Sequence, residues 1–215
     1  MQLHDLQHHL ASLYETPITY DIYDFLITDA RLARALDGGV EHPNRERLLL
    51  RESDGDLDLS LFIDESVVDA LRVATPGSAV SGASFNAFMT ALEGVSHFNY
   101  VIWNAHHRRQ VTQLELELQA EVDKFVAATM VFEDQATKQN YKDIHRVLFD
   151  EAQFLPFNDP SIEQRYRDAN RYAGQYCHQL QNRYPAQHRQ GEFVNELRRF
   201  YRLDQNAKIR AIRHH

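Results

Sequence analysis

The sequence predicts a mainly α-helical protein: a C-terminal helical bundle with a small N-terminal α/β portion that contains a β-hairpin. Three observations predict it. First, residues Val95 to Leu155 contain neither glycine nor proline, and helix is the regular element that fills so long a gap. Second, residues suited to capping stand at the edges of apolar periodic runs, as at Asp29 and Asp159. Third, an Asp54-Gly55 pair separates two apolar runs, the second alternating Leu57, Leu59, Leu61 and Ile63 with Asp56, Asp58, Ser60 and Phe62. Strict alternation around Asp-Gly is a hairpin signal.

Taken in order, "LHDLQHHLASLYE" reads as a helix. "TDARLARALDGG" reads as a second, with Thr28 or Asp29 as cap and Gly38-Gly39 as stop. The hairpin falls near residues 47–63, and "DESVVDALRVA" forms a short helix after Asp64. "TPGSAVSGAS" is a loop rich in small residues, and Ser84 is positioned to cap the helix that follows. A single helix across the whole gap would measure about 90 Å, so a break is expected, best placed at "FEDQATKQN" with Asp134 capping the next helix. "LPFNDPS" is a turn with Asp159 or Ser161 as cap. "SIEQRYRDANRYAGQYCHQLQNRY" is a helix, and a last helix runs from near Gly191 through "FVNELRRFYRLDQNAKIRAIR". The division is residues 1–75 as the α/β portion and 84–215 as the bundle, packed as one unit; a hairpin alone is marginal and needs such a neighbour.

Composition is that of an ordinary globular chain, with 43% hydrophobic and 25% charged residues. The net charge of -8 argues against broad binding to nucleic acid. It is unevenly spread: the segment from Pro160 onward has a balance of +6, and residues 1–159 a balance of -14. One cysteine, Cys177, permits no internal disulfide and fits a reducing compartment. The amino terminus has no apolar core of a signal peptide, and no run approaches the ~18 apolar residues of a membrane helix. The expectation is a full-length cytoplasmic chain with no membrane association.

The densest polar pattern is "EGVSHFNYVIWNAHHRR". A helix turns by about 100° per residue. With Glu93 at zero, that places His97 at about +40°, Tyr100 at about -20°, Asn104 at about +20° and His107 at about -40°. A regular helix would carry Glu115 to about +40° as well. Val95, Phe98 and Ile102 face the other way, so the helix is apolar on more than one side and central. The stripe is a candidate ligand-binding face of Glu93, His97, Tyr100, Asn104 and His107. Glu and His four apart on one helix can hold a metal or share a proton. "YKDIHRVLFDEAQ" offers Tyr141, His145 and Asp150 opposite it, and Glu115, Glu117 and Glu121 are further carboxylates. A polar seam hydrogen-bonded between helices, or simply the wet face of the helix, is the reading preferred to a metal site. No Glu-x-x-His, His-Glu-x-x-His or cysteine pair occurs, so no metal site is assigned, and the sequence names no cofactor.

Other patterns carry less. His4 and His8 are four apart on a terminal helix. "DGDLD" lacks the glycine and distal glutamate of a calcium loop. Nucleotide-binding glycine loops and the Gly-x-Ser-x-Gly elbow are missing. Arg167, Arg171, Arg198, Arg199 and Arg202 form a candidate anion-binding set among tyrosines, a composition suited to phosphate or to a protein interface. Pairing with the acidic segment 1–159 ranks first among their roles, an interface second and nucleic acid third. Arg171 and His178 enclose six residues, which resembles the Arg-x(4–6)-His motif of HEPN-type helical ribonucleases. That resemblance implies metal-independent RNA cleavage by Arg171 and His178 at a helix terminus. It covers only the segment 171–178, and Tyr172 stands where the family commonly has a polar residue; Arg183 and His188 repeat the spacing across a proline.

The readings, in order, are three: an interaction or accessory module that binds a protein partner or a second copy of itself; a helical enzyme or ligand- or metal-binding sensor with its site on the Glu93–His107 face; and a ribonuclease using Arg171 and His178.

Overall fold

The computed structural model describes residues 1–39, 43–53, 56–73, 82–132, 144–154, 156, 159–184 and 191–214, with only the backbone at 52, 53, 56, 131 and 132. The chain is mainly helical with a small mixed sheet, as the sequence predicts. The Asp54-Gly55 turn, the loop at 75–81, the expected break at 133–140 with Asp134, Tyr141 and His188 all lie outside the described residues.

Helix α1 (Leu3–Tyr14) opens with a reciprocal cap between Gln2 and Asp5 and buries Leu3, Leu6, Leu10, Leu13 and Tyr14 along one face. Strand β1 (Leu26–Ile27) leads to α2 (Ala30–Leu36), capped by the Asp29 side chain on the Arg31 amide. The hairpin is β2 (Glu46–Ser53) and β3 (Asp56–Ile63), antiparallel with Leu48 opposite Leu61. The short β1 pairs in parallel with β3, Leu26 against Leu61, giving the order β1-β3-β2. So short a strand leaves no periodicity to read, and the sequence shows β1 poorly. Helix α3 (Glu65–Val73) follows the hairpin and packs on the next helix.

That next helix, α4 (Ala83–His106), is the centre of the fold. From Ala87 to Asn104 none of its residues is exposed, with Leu92, Val95 and Phe98 as covered as Ser96 and His97. It contacts α1, α3, both long strands and α5. Its N-cap is Gly82, with no side-chain cap from Ser84. Close approach of the hairpin requires Gly94: a Cβ there would stand 3.1 Å from Glu46 Oε2, 3.2 Å from Leu61 Cδ1 and 3.3 Å from Ile63 Cδ1.

The uninterrupted stretch does not hold one helix as far as Glu115. Helix α4 ends at His106 and α5 (Gln113–Phe132) turns back beside it. Arg108 takes the left-handed conformation, φ 52°, that glycine usually supplies at a helix end. The imidazoles of His106 and His107 turn back onto the carbonyls of Ile102 and Trp103, so four consecutive basic residues finish the helix.

A π-helical turn (Arg146–Asp150) lies against α6 (Pro160–Arg183), where a Cβ on Gly174 would stand 3.2 Å from Phe149. Asp159 caps α6 on the Ser161 amide. The expected last helix is two, α7 (Gly191–Tyr201) and α8 (Gln205–Arg213), because Asp204 starts a new one by accepting from Ala207 N. No helix among the described residues is long and apolar enough to cross a membrane.

Candidate functional site

Because α4 and α5 are antiparallel, the polar stripe of α4 meets carboxylates of α5 rung by rung. Tyr100 donates to Glu115 at 2.5 Å, His97 faces Glu117, and Lys124 donates to Glu93 at 3.0 Å. The stripe divides into two parts of different character.

The Tyr100 end is closed. Arg109 pairs with Glu115 and donates to the Tyr100 hydroxyl at 2.9 Å and to the carbonyls of Arg202 and Leu203. The other Glu115 oxygen accepts from Gln205 N at 3.2 Å. Asn104 is buried and donates back to the Tyr100 carbonyl at 2.7 Å. Next to it, Asp123 accepts from Tyr14, from Ser96 at 2.6 Å and from Gln119 at 2.8 Å, and Lys208 donates to Gln119 at 2.6 Å. This part is an inter-helix polar seam in which every carboxylate oxygen is bonded, and only Asn104 Oδ1 and Arg109 Nε among its described buried side-chain atoms lack a hydrogen-bond partner.

The His97 end is open. His97 is 3% exposed. Its Nδ1 stands 3.6 Å from Glu46 Oε2 of β2, and its Nε2 stands 3.5 Å from Glu117 Oε2. Both distances are too long for hydrogen bonds, and both His97 Nε2 and Glu46 Oε2 are buried without a hydrogen-bond partner. Burial opposes a charge on the imidazole, yet Glu46 and then Glu117 outweigh it and lift the His97 pKa well above the ordinary value. Burial pushes the Glu46 carboxyl up, against the pull of His97. Burial would also raise Glu93, but Lys124 and His97 overcome it and hold this carboxyl below the usual range. Burial raises Glu121 although Lys124 opposes it. Four buried or nearly buried carboxylates (Glu46, Glu93, Glu117 and Glu121) thus surround two cations, His97 and Lys124. Arg47, Arg165 and Arg45, the next cations, are engaged with Asp37, Gln113 and Asp64.

This cluster forms the wall between two cavities. One, of about 370 Å³, is lined by Glu93, Glu121 and Lys124 together with Phe85, Thr90 and Phe154. The other, of about 300 Å³, is lined by His97, Glu117 and the outer part of β2. Asn44, Glu46 and Tyr166 border both. The Tyr166 hydroxyl accepts from Asn44 at 3.0 Å. Its pKa is raised by burial and by Glu117, Glu93 and Glu46.

Of the residues singled out in the sequence, Glu93 and His97 lie in the open part, and Tyr100 and Asn104 in the closed part. His107 is exposed at the end of α4, bonded to Trp103. His145 lies elsewhere, its Nε2 3.1 Å from the Gly174 carbonyl of α6 and its ring 5.8 Å from that of His178. Its segment does reach the larger cavity, through Val147, Leu148 and Phe154. Sequence reasoning missed Glu46, Lys124 and Tyr166 as members. An acid at the start of the strand, just before the run Leu48-Leu49-Leu50, was the one signal for Glu46.

The candidate anion-binding arginines are each engaged. Arg167 pairs with Glu163, Arg171 with Asp168 and Arg199 with Glu196, all on their own helices. Arg198 pairs with Glu15, and Arg202 donates to the Tyr14 carbonyl. The acidic N-terminal part therefore receives two of the five. Arg171 and His178 stand on the exposed side of α6, two turns apart, with Arg171 in mid-helix. Comparison of the chain with known protein families, with curated proteins and with solved structures finds no match.

Proposed function

We propose that the chain is a ligand-binding protein, of the sensor or enzyme kind, whose site is the larger cavity between β2, α4, α5 and α6. The observation that carries this reading is a cavity of about 370 Å³ whose floor is a buried, incompletely bonded set of ionisable side chains. Small-molecule sites have this size and this mixture of apolar wall and few convergent polar groups. The wall of Phe85, Met89, Val147, Leu148 and Phe154 fits an apolar body, and Asn44, Asn86, Gln153 and Asn170 fit a polar head. Perturbed titratable groups gathered at a cavity are a further mark of a site. Buried Cys177 supports a cytoplasmic setting.

A panel of small amines, amino acids and carboxylates, read by melting temperature and by amide shifts at Thr90 and Asn170, tests the reading. At least one compound class is expected to raise the melting temperature, and Thr90→Trp, which fills the cavity, to abolish that effect. A folded Thr90→Trp protein that responds as the wild type does would refute it.

A second reading is an interaction module that binds a protein partner or its own copy. Ile18, Tyr20, Tyr23, Leu32 and Leu36, all exposed in the segment 18–36, support it. Light scattering of the wild type and Leu36→Glu tests the homo-oligomer; a monomer in both counts against self-association.

A further inference from the structure

The geometry points to a divalent transition-metal site at the open end of the stripe, with Glu93, His97 and Glu117 as ligands and Glu46 as the carboxylate that orients the imidazole. This goes beyond the cavity's ligand and does not depend on it.

Four observations converge. Ligand atoms of Glu93, His97 and Glu117 lie within 4.8 Å of one another, the arrangement of groups able to close on one ion. His97 Nε2 and Glu117 Oε2 are 3.5 Å apart. That is too far for a hydrogen bond but close to the ~3.4 Å edge of a tetrahedron with metal–ligand distances of about 2.1 Å. The Nε2 atom is fully buried, lacks a hydrogen-bond partner and is aimed at the same space as Glu117. Finally, four carboxylates against two cations leave a buried excess of two negative charges when all are ionised, which is costly in a poorly solvated interior. A dication that displaces the Nε2 proton of His97 lowers that excess from two to one.

The parts have separate roles. Glu93 and His97 are one helical turn apart on α4, so their side chains point the same way. Lys124 holds Oε2 of Glu93 at 3.0 Å and leaves the second oxygen for a cation. Glu46, 3.6 Å from His97 Nδ1, occupies the place from which a carboxylate receives the Nδ1 proton of a metal-bound imidazole and fixes its tautomer. The other ring proton, on Nε2, must leave as the metal enters. Three ligands leave at least one coordination position for water or for an oxygen donor. One imidazole with two carboxylates suits a first-row ion such as Zn²⁺ or Mn²⁺ in preference to soft, thiolate-seeking ions.

The test uses the full chain purified without a metal-affinity tag, dialysed against Zn²⁺ and then assayed for bound metal, with Co²⁺ as a spectroscopic probe. About one equivalent per chain is expected, with visible Co²⁺ bands of a low-coordinate nitrogen and oxygen site. His97→Gln and Glu117→Gln should each weaken binding by roughly 100-fold or more, while His107→Gln should not. Thr90→Trp, which fills the neighbouring cavity, should keep the full equivalent; loss of metal there would locate the ion in the cavity and overturn the assignment. No stoichiometric metal in the wild type, or unchanged affinity in His97→Gln, would also overturn it. Histidine-selective ¹⁵N NMR of the wild type separates ligand loss from misfolding. Zinc must shift the Nε2 resonance of His97, and a shift at any other histidine in its place removes the proposal.

Discussion

The two ends of one helix face in α4 receive the same kind of partner and end in opposite states. At Tyr100, a carboxylate from α5 meets a hydroxyl and a guanidinium, and every oxygen of Glu115 is bonded. At His97, carboxylates from α5 and β2 stop at 3.5 Å and 3.6 Å, with Nε2 left unbonded. The difference lies in what closes each end. The α4–α5 turn brings Arg109 onto Glu115, and the residues before α8 cover it. At the other end a strand edge and two cavities meet the cluster. A satisfied network rigidifies, while an unsatisfied one is a liability unless something else completes it.

The largest effect is expected from breaking the closed end. Glu115→Ala would take the acceptor from the Tyr100 O–H and the Gln205 amide and the counter-charge from a largely covered Arg109. Loss of about 3 kcal/mol is expected in urea unfolding, as for other broken buried pairs. Gly94→Ala comes next. Its methyl would press on Glu46, Leu61 and Ile63, with a loss of about 1–3 kcal/mol and shifted amide resonances in β2 and β3.

Removing charge at the open end should act in the opposite direction. Glu117→Gln in metal-free protein lowers the excess of negative charge around His97, and a gain of about 1 kcal/mol is expected, since sites kept for binding are not optimised for stability. Equal destabilisation by Glu117→Gln and Glu115→Ala would erase the contrast between the ends.

The smallest effect concerns Lys208, fully buried in the closed seam between the rings of Tyr100 and Phe200. Burial pushes its pKa well below the ordinary lysine value. The folded state then holds fewer protons than the unfolded chain between that lowered value and about 10.4, so stability rises with pH across this window. Subtracting a Lys208→Met series of unfolding curves from the wild type should isolate that upward slope. A flat difference would mean that Lys208 keeps its proton.

Much of the fold could be read from local chemistry. Asp29 and Asp159 cap where side-chain oxygens compete best for free amides, and the alternation from Leu57 to Ile63 is that of a strand. The end of α4 was harder, because Arg108 adopts a left-handed backbone without being glycine. The run His106-His107-Arg108-Arg109 was the available sign, since cations gather where helix carbonyls are free. The split between α7 and α8 was visible in Asp204, a capping residue inside an otherwise helical pattern. For the site, helical periodicity places Glu93 and His97 together. Their meeting with Glu117, on the following helix, depends on where α4 turns, and their meeting with Glu46 depends on the packing of the hairpin. Neither distance has a local signal.

Gly94 has a consequence for recognising other chains of this kind. One missing methyl group lets a strand carboxylate lie against the helix that carries the imidazole, 3.6 Å from its Nδ1. A distant cousin that retains the arrangement would need Glu-Gly-x-x-His in one helix, a second glutamate early in the helix that follows, and an acid opening an upstream strand. Such a spaced signature can outlive overall resemblance, and it gives a search a handle where whole-chain similarity offers none.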